Sequence, residues 1–230
     1  MSRVAVTPAV TPALFSFPPQ AKVGRVVAKN KIYERGAVSS MLRDKFVAQV
    51  EQIIWAYKLA PETINLPARG SVVEIQIFDI ALKTAELDED VLRAIDRVIP
   101  LPIIFQLHHE QRTRMVATFK RPSEADASKW VIDGYFAGVW LAADAERQPL
   151  PVALDLYGLY EQLLRSVLPK TARLGESLPE QLQRLTQLRS LQGEQCKLEA
   201  RLRKEIQFNR KVELNAQLRA LNTQIYQLSV

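Results

Sequence analysis

The C-terminal stretch "RLRKEIQFNRKVELNAQLRALNTQIYQLSV" carries Leu214, Leu218, Leu221, Ile225 and Leu228 at spacings of four, three, four and three, with no proline or glycine interrupting it. That alternation is the a/d seam of a coiled coil, so this part of the chain must pack helix against helix. Upstream, Leu178, Leu182 and Leu185 begin one such seam, and Leu191, Leu198 and Leu202 continue another. Carrying the last seam backwards would put Lys211, Gln207 and Lys204 into a core, so the register breaks across residues 203–213. A stutter in one long helix and a turn that folds two helices into a hairpin both account for the break. A continuous helix would leave its leucines in water unless a partner or a second copy covered them. Over residues 171–230, ten Lys and Arg are interleaved with six Asp and Glu. A DNA-reading basic region would gather its cations ahead of a zipper, so this spacing points to protein association through Leu214, Leu218, Leu221, Ile225 and Leu228.

The remainder is long enough for one well-buried domain in a chain of 230 residues. A net charge of +6 makes an acidic partner plausible without amounting to a basic tail. The single cysteine, Cys196, forms no intramolecular disulfide and suits a reducing compartment. Prolines at 8, 12, 18 and 19 break the N-terminal region, which therefore lacks the apolar core of a signal peptide, and no apolar run is long enough to span a membrane. A cytoplasmic protein with no membrane partner is expected.

Residues 1–20 read as an extended, proline-punctuated segment. After it, Leu42, Phe46, Val50, Ile53, Ile54 and Tyr57 recur at helical spacing behind Ser39 or Ser40 as N-cap, which predicts one amphipathic helix ending before Pro61. "SVVEIQIFDIAL" alternates as a strand, "DEDVLRAIDRVI" is a helix with acids in its first turn, and "PLPIIFQLHH", "TRMVATFKR" and "YFAGVWLA" are three further strands. "DLYGLYEQLLRSVL" closes the domain as a helix with Leu156, Leu159 or Tyr160, Leu163, Leu164 and Val167 inward. The order predicts an α/β or α+β fold, a mixed sheet with packed helices over 21–168, a linker at 169–177, and C-terminal helices over 178–230.

Two stretches could carry chemistry. "AKNKIYERG" places Lys29, Lys31, Tyr33 and Arg35 close together within a segment, 22–58, that holds eight basic and three acidic residues. Cations interleaved with an aromatic can contact phosphate and stack a base, so these four are the candidate nucleic-acid or anion site. "VVEIQI" sets Glu74 and Gln76 on a strand after a helix bearing Glu51, an order shared with metal-dependent nucleases of the PD-(D/E)xK kind. Gln76 stands where that site needs lysine, and Asn65 where it needs aspartate. Glu51, Glu74 and Gln76 are therefore weak catalytic candidates, and Mg²⁺ is expected only on that alternative; otherwise neither cofactor nor metal is expected. His108 and His109, adjacent on a strand, face opposite sides and do not make a metal site. No phosphate-binding glycine loop occurs.

The stretches "KNKIYE", "VEQIIWAYKLAPETIN", "EIQIFDIALK", "LRAIDRVIPLPIIFQL" and "QFNRKVELNAQLRAL", in this order, resemble an uncharacterised bacterial family known only as a domain of unknown function. The resemblance covers residues 14–228. It implies a gene of the kind met beside DNA methyltransferases and helicases in restriction-like or antiphage islands, and hence an accessory subunit joining such a partner or a second copy of itself, with possible DNA contact. It supplies no catalytic residue. A structural adaptor without nucleic-acid contact is the remaining alternative.

Overall fold

The computed structural model describes residues 14–123, 130–132 and 134–230. In chain order the strands and helices are β1 (Leu14–Ser16), β2 (Lys22–Val26), α1 (Lys29–Arg35), α2 (Ser40–Gln49), β3 (Val50–Leu59), α3 (Pro61–Ile64), β4 (Ile75–Leu82), α4 (Glu89–Val98), β5 (Ile103–His109) and β6 (Arg112–Ala117). There follow β7 (Lys120–Pro122), β8 (Trp130–Ile132), β9 (Phe136–Ala137), β10 (Leu141–Ala142), β11 (Arg147–Pro149), α5 (Leu156–Arg165), α6 (Leu178–Lys204) and α7 (Phe208–Ser229). The chain divides into two compact units between Pro169 and Lys170.

The first unit is a mixed α/β structure built on one sheet of order β10-β6-β5-β4-β3-β2, with β9 also on β6. Only β4 and β5 run parallel within it, and a parallel pair needs a crossover, which α4 supplies. Asp88 starts that helix by accepting from the Asp90 N–H at 2.9 Å, and Glu89 and Asp90 favour the positive end of its dipole. Phe46, Val50, Ile53, Phe78, Ile80, Ile95, Phe105 and Val116 belong to one buried cluster joining α2 and α4 to the sheet. The α5 residues expected to face inward, Leu156, Leu159, Tyr160, Leu163 and Leu164, are buried, and so is Val167.

The helix expected from Leu42 to Tyr57 is corrected. Ser39 does cap it, accepting from the Leu42 N–H at 3.4 Å, but α2 stops at Gln49 and β3 begins at Val50. Two register shifts against β4, between Val50 and Gln52 and between Trp55 and Tyr57, each insert a residue into β3. The first shift keeps Val50 and Ile53 in one buried cluster, and Ala56 and Leu59, outside that cluster, are buried as well. A strand that buries every third residue carries the spacing of a helix. A similar correction applies to "YFAGVWLA". Ala137 pairs with Val116 and Leu141 with Thr113, so Gly138–Trp140 oppose only Met115 and Arg114 and the expected single strand is interrupted between β9 and β10.

The second unit is an antiparallel helical hairpin. Ser177 and Glu180 form a reciprocal capping box at the start of α6. The register break lies at the turn Glu205–Gln207, after which α7 returns along α6, with Gln195 donating to Asn222 at 2.9 Å and Arg184 to the Leu228 carbonyl at 3.1 Å.

Candidate functional site

The four residues of the basic segment separate into two pairs once folded. Lys29 opens α1, and its Nζ donates to the Val50 carbonyl at 2.5 Å and the Phe46 carbonyl at 3.4 Å, while Lys83 Nζ donates to the Val47 carbonyl at 2.8 Å. The Phe46 carbonyl already accepts from the Val50 N–H, so Lys29 clamps the junction where α2 passes into β3, while Lys83 supplies a donor to Val47, one of the carbonyls that the last turn of α2 leaves open. Burial lowers the Lys29 ammonium pKa. Tyr33 stands edge-on to Phe46, with ring centroids 5.3 Å apart, beneath the Arg43 guanidinium at 5.5 Å, and burial raises its phenol. Lys31 and Arg35 are exposed one turn apart. Lys29→Ala is thus expected to lower stability by about 1–2 kcal/mol, while Lys31→Ala and Arg35→Ala change it by less than about 0.5 kcal/mol. Urea denaturation distinguishes them, and equal effects at all three positions would show that Lys29 does not hold the junction of α2 and β3.

The structure does not bring the acidic candidates together. Glu51 lies on β3 beside Val50, which pairs with Leu82, whereas Glu74 adjoins Ile75, which pairs with Leu59 at the other end of the same two strands. At roughly 3.3 Å per residue the two carboxylates are about 25 Å apart. Glu74 instead accepts from Gln76 Nε2 at 2.8 Å and pairs with Lys58 at 3.2 Å. The expected carrier of Glu51, a helix, is a strand, and Asn65 ends the short helix α3 in a left-handed conformation at φ 55°. Among the described residues no group of three or more His, Cys, Asp or Glu could hold a metal ion.

Sheet topology assembles a polar ladder that sequence spacing does not reveal. His108 Nδ1 lies 3.0 Å from the Thr113 hydroxyl on the facing strand, and His108 Nε2 lies 3.5 Å from Asp79 Oδ1. That carboxylate oxygen also accepts from Gln106 Nε2 at 2.7 Å, and Gln106 Oε1 accepts from Arg147 at 3.0 Å. A hydroxyl, an imidazole and a carboxylate in a row suggest nucleophilic catalysis. Thr113 is only 1% exposed, however, so no substrate reaches its oxygen, and the row serves as cross-strand pairing. His109, on the other face, meets Trp140 at 6.5 Å.

A second cluster is fully buried. Asp96 in α4 and Lys120 in β7 are 1% and 2% exposed. Lys120 Nζ lies 3.3 Å from Asp96 Oδ1, donates to the Asp96 carbonyl at 2.6 Å and also donates to the Ile99 carbonyl, so it caps the end of α4. Tyr135 donates to Asp96 Oδ2 at 2.5 Å. Asp96 falls one turn after Leu92, on the apolar stripe of α4; a carboxylate there is the sequence signal for this cluster.

Compared with known families, the sequence matches the profile of a domain of unknown function, DUF4391, over residues 15–225. The chain belongs to the DUF4391 family. Comparison with curated proteins and with solved structures gives no match.

In this DUF4391 chain the seam expected to hold a partner is engaged within the hairpin. Leu218 and Leu221 are buried, Leu214, Ile225 and Leu228 half-buried, and the residues between them exposed, so this stripe is the inner side of α7 where it lies along α6. A leucine covered by its own chain offers a partner little area, which moves any docking surface to the exposed residues of the hairpin. No helix among the described residues is long and apolar enough to cross a membrane.

Proposed function

We propose that this DUF4391 protein is an accessory, non-catalytic subunit of a DNA-modification or antiphage defence system in the cytoplasm, and that it joins a helicase or DNA methyltransferase by binding rather than by running a reaction. The hairpin carries this reading. It is a compact unit of its own, with a closed leucine seam and exposed residues along the outer sides of both helices. A two-helix unit of α6's length, about 40 Å, offers a surface for a partner more than a pocket that encloses a substrate. The exposed Lys31 and Arg35 of α1 offer a smaller second contact for DNA or partner. The partner class comes from the resemblance to genes met beside methyltransferases and helicases. Affinity purification of the tagged full-length protein from its native host, with nuclease treatment, tests the proposal. A helicase or methyltransferase should copurify in near-stoichiometric amount, and recovery of the chain alone would overturn the reading.

A further inference from the structure

Cations that look interleaved along the sequence converge when α7 folds back on α6. Arg201, Arg203 and Lys204 end α6, and Arg210 and Lys211 lie in the first turn of α7, against Glu205 and Glu213. Arg203 is 3.9 Å from Glu199, while among the described residues no ion pair engages Arg201, Lys204, Arg210 or Lys211. Three large apolar side chains share this apex, Ile206 at 90%, Phe208 at 77% and Val212 at 53% exposure. A cleft of about 330 Å³ opens beside them, lined by Arg201, Glu205, Arg210, Glu213, Leu214 and Gln217.

Local physics argues against this composition unless something binds it. α7 has no acidic residue in its first turn and no side-chain cap from Gln207, and Arg210 and Lys211 sit at the end of the helix whose dipole repels them. A phenylalanine in water gains nothing by being there. Departures from local consistency of this kind are expected where a surface is shaped for a ligand.

We propose that the apex of the hairpin binds single-stranded nucleic acid, with Phe208 stacking on an unpaired base and Arg201, Lys204, Arg210 and Lys211 contacting the flanking phosphates. The charge is complementary to a polyanion, and one exposed ring within a cationic collar is what base stacking requires. An anionic membrane would call for a broader apolar face than these three side chains provide. The proposal rests on the DNA-linked role above, but it is tested on the purified protein alone, so its failure leaves the copurification result untouched.

The test is fluorescence anisotropy of a labelled oligodeoxythymidylate titrated with full-length protein. Binding should weaken steeply with salt, and Arg210→Glu/Lys211→Glu should weaken it at least about tenfold and reduce the salt slope by about 0.7 for each phosphate no longer neutralised. Phe208→Ala should cost about tenfold, with Phe208→Tyr restoring most of it. Lys197→Glu/Arg219→Glu, an equal change in net charge farther down the shaft, should cost less than about threefold. The proposal is overturned if the wild type shows no salt-dependent binding, if the shaft and apex variants weaken it equally, if duplex binds as tightly without dependence on Phe208, or if anionic phosphatidylserine vesicles compete in a Phe208-dependent manner. Matching circular dichroism among the variants ensures that loss of binding is not loss of fold.

Discussion

Lys120→Met should destabilise the protein by about 3–5 kcal/mol, the typical loss when one partner of a buried ion pair is removed. Asp96 would remain in the core with the Tyr135 hydroxyl and the attraction of Arg93 to support it, and the Asp96 and Ile99 carbonyls at the end of α4 would lose the Lys120 donor. Burial already pushes the Asp96 carboxyl up and the Lys120 ammonium down, while their attraction to each other opposes both shifts. Asp96→Asn/Lys120→Met should therefore lose less than the sum of the two single changes, because the neutral amide needs no counter-charge. The sign of the pH dependence follows from the raised carboxyl. Without Lys120, the folded state holds the Asp96 proton more tightly than the unfolded chain does, so the variant should gain stability as pH falls and lose it as pH rises through the folded pKa. Urea denaturation across pH reads both effects. A single-variant loss under about 1 kcal/mol would show that the pair contributes little beyond its shape.

Arg184→Ala should open the base of the hairpin, again at a cost of about 3–5 kcal/mol. Arg184 is 6% exposed and donates to Glu176 Oε1 at 2.6 Å, Glu176 Oε2 at 2.8 Å, the Thr171 carbonyl at 3.0 Å and the Leu228 carbonyl at 3.1 Å. One side chain thus ties the connecting segment to α6 and to the last turn of α7. Its hydrogen bonds hold the Glu176 carboxyl down from the ordinary 4.5 to about 2. A depressed carboxylate contributes stability that is complete above its unfolded pKa and is lost as pH falls through the folded one. The wild-type hairpin should accordingly loosen between about pH 4.5 and pH 2, and Arg184→Ala should shrink that transition to the part held by Arg173, whose N–H donates to Glu176 Oε2 at 2.8 Å. Amide exchange over α7 measures the opening. Unchanged protection there would mean that the leucine seam alone holds the two helices.

How far the sequence discloses this fold depends on how local each determinant is. The helices α4, α5 and α6 are legible because cap, dipole and apolar stripe agree within a few turns: Asp88 for α4, Leu156 to Leu164 for α5, Ser177 with Glu180 for α6. The start of α2 is equally clear at Ser39, but its end is not, because the bulges of β3 depend on pairing with β4 and not on β3's own residues. The broken seam at 203–213 admits two structures, since neither glycine nor proline marks the turn. The candidate sites fare worse for the same reason. Lys29 reads as a surface cation until Phe46 and Val50 are seen to flank the junction of α2 and β3 beside it. Glu51 and Glu74 read as neighbours only if Glu51 is helical. The Asp96–Lys120 pair spans 24 residues, with β5 and β6 between its two elements, and no local pattern joins them.

The only thiol in the sequence, Cys196, is exposed on the shaft of the hairpin. It precedes Lys204 by eight residues, about 12 Å along α6 at roughly 1.5 Å per residue. A maleimide dye therefore attaches to a single known atom without prior substitution, close enough to the apex to sense an arriving polyanion and far enough from Phe208 not to block it. The wild-type chain is its own optical reporter for events at that end of the molecule.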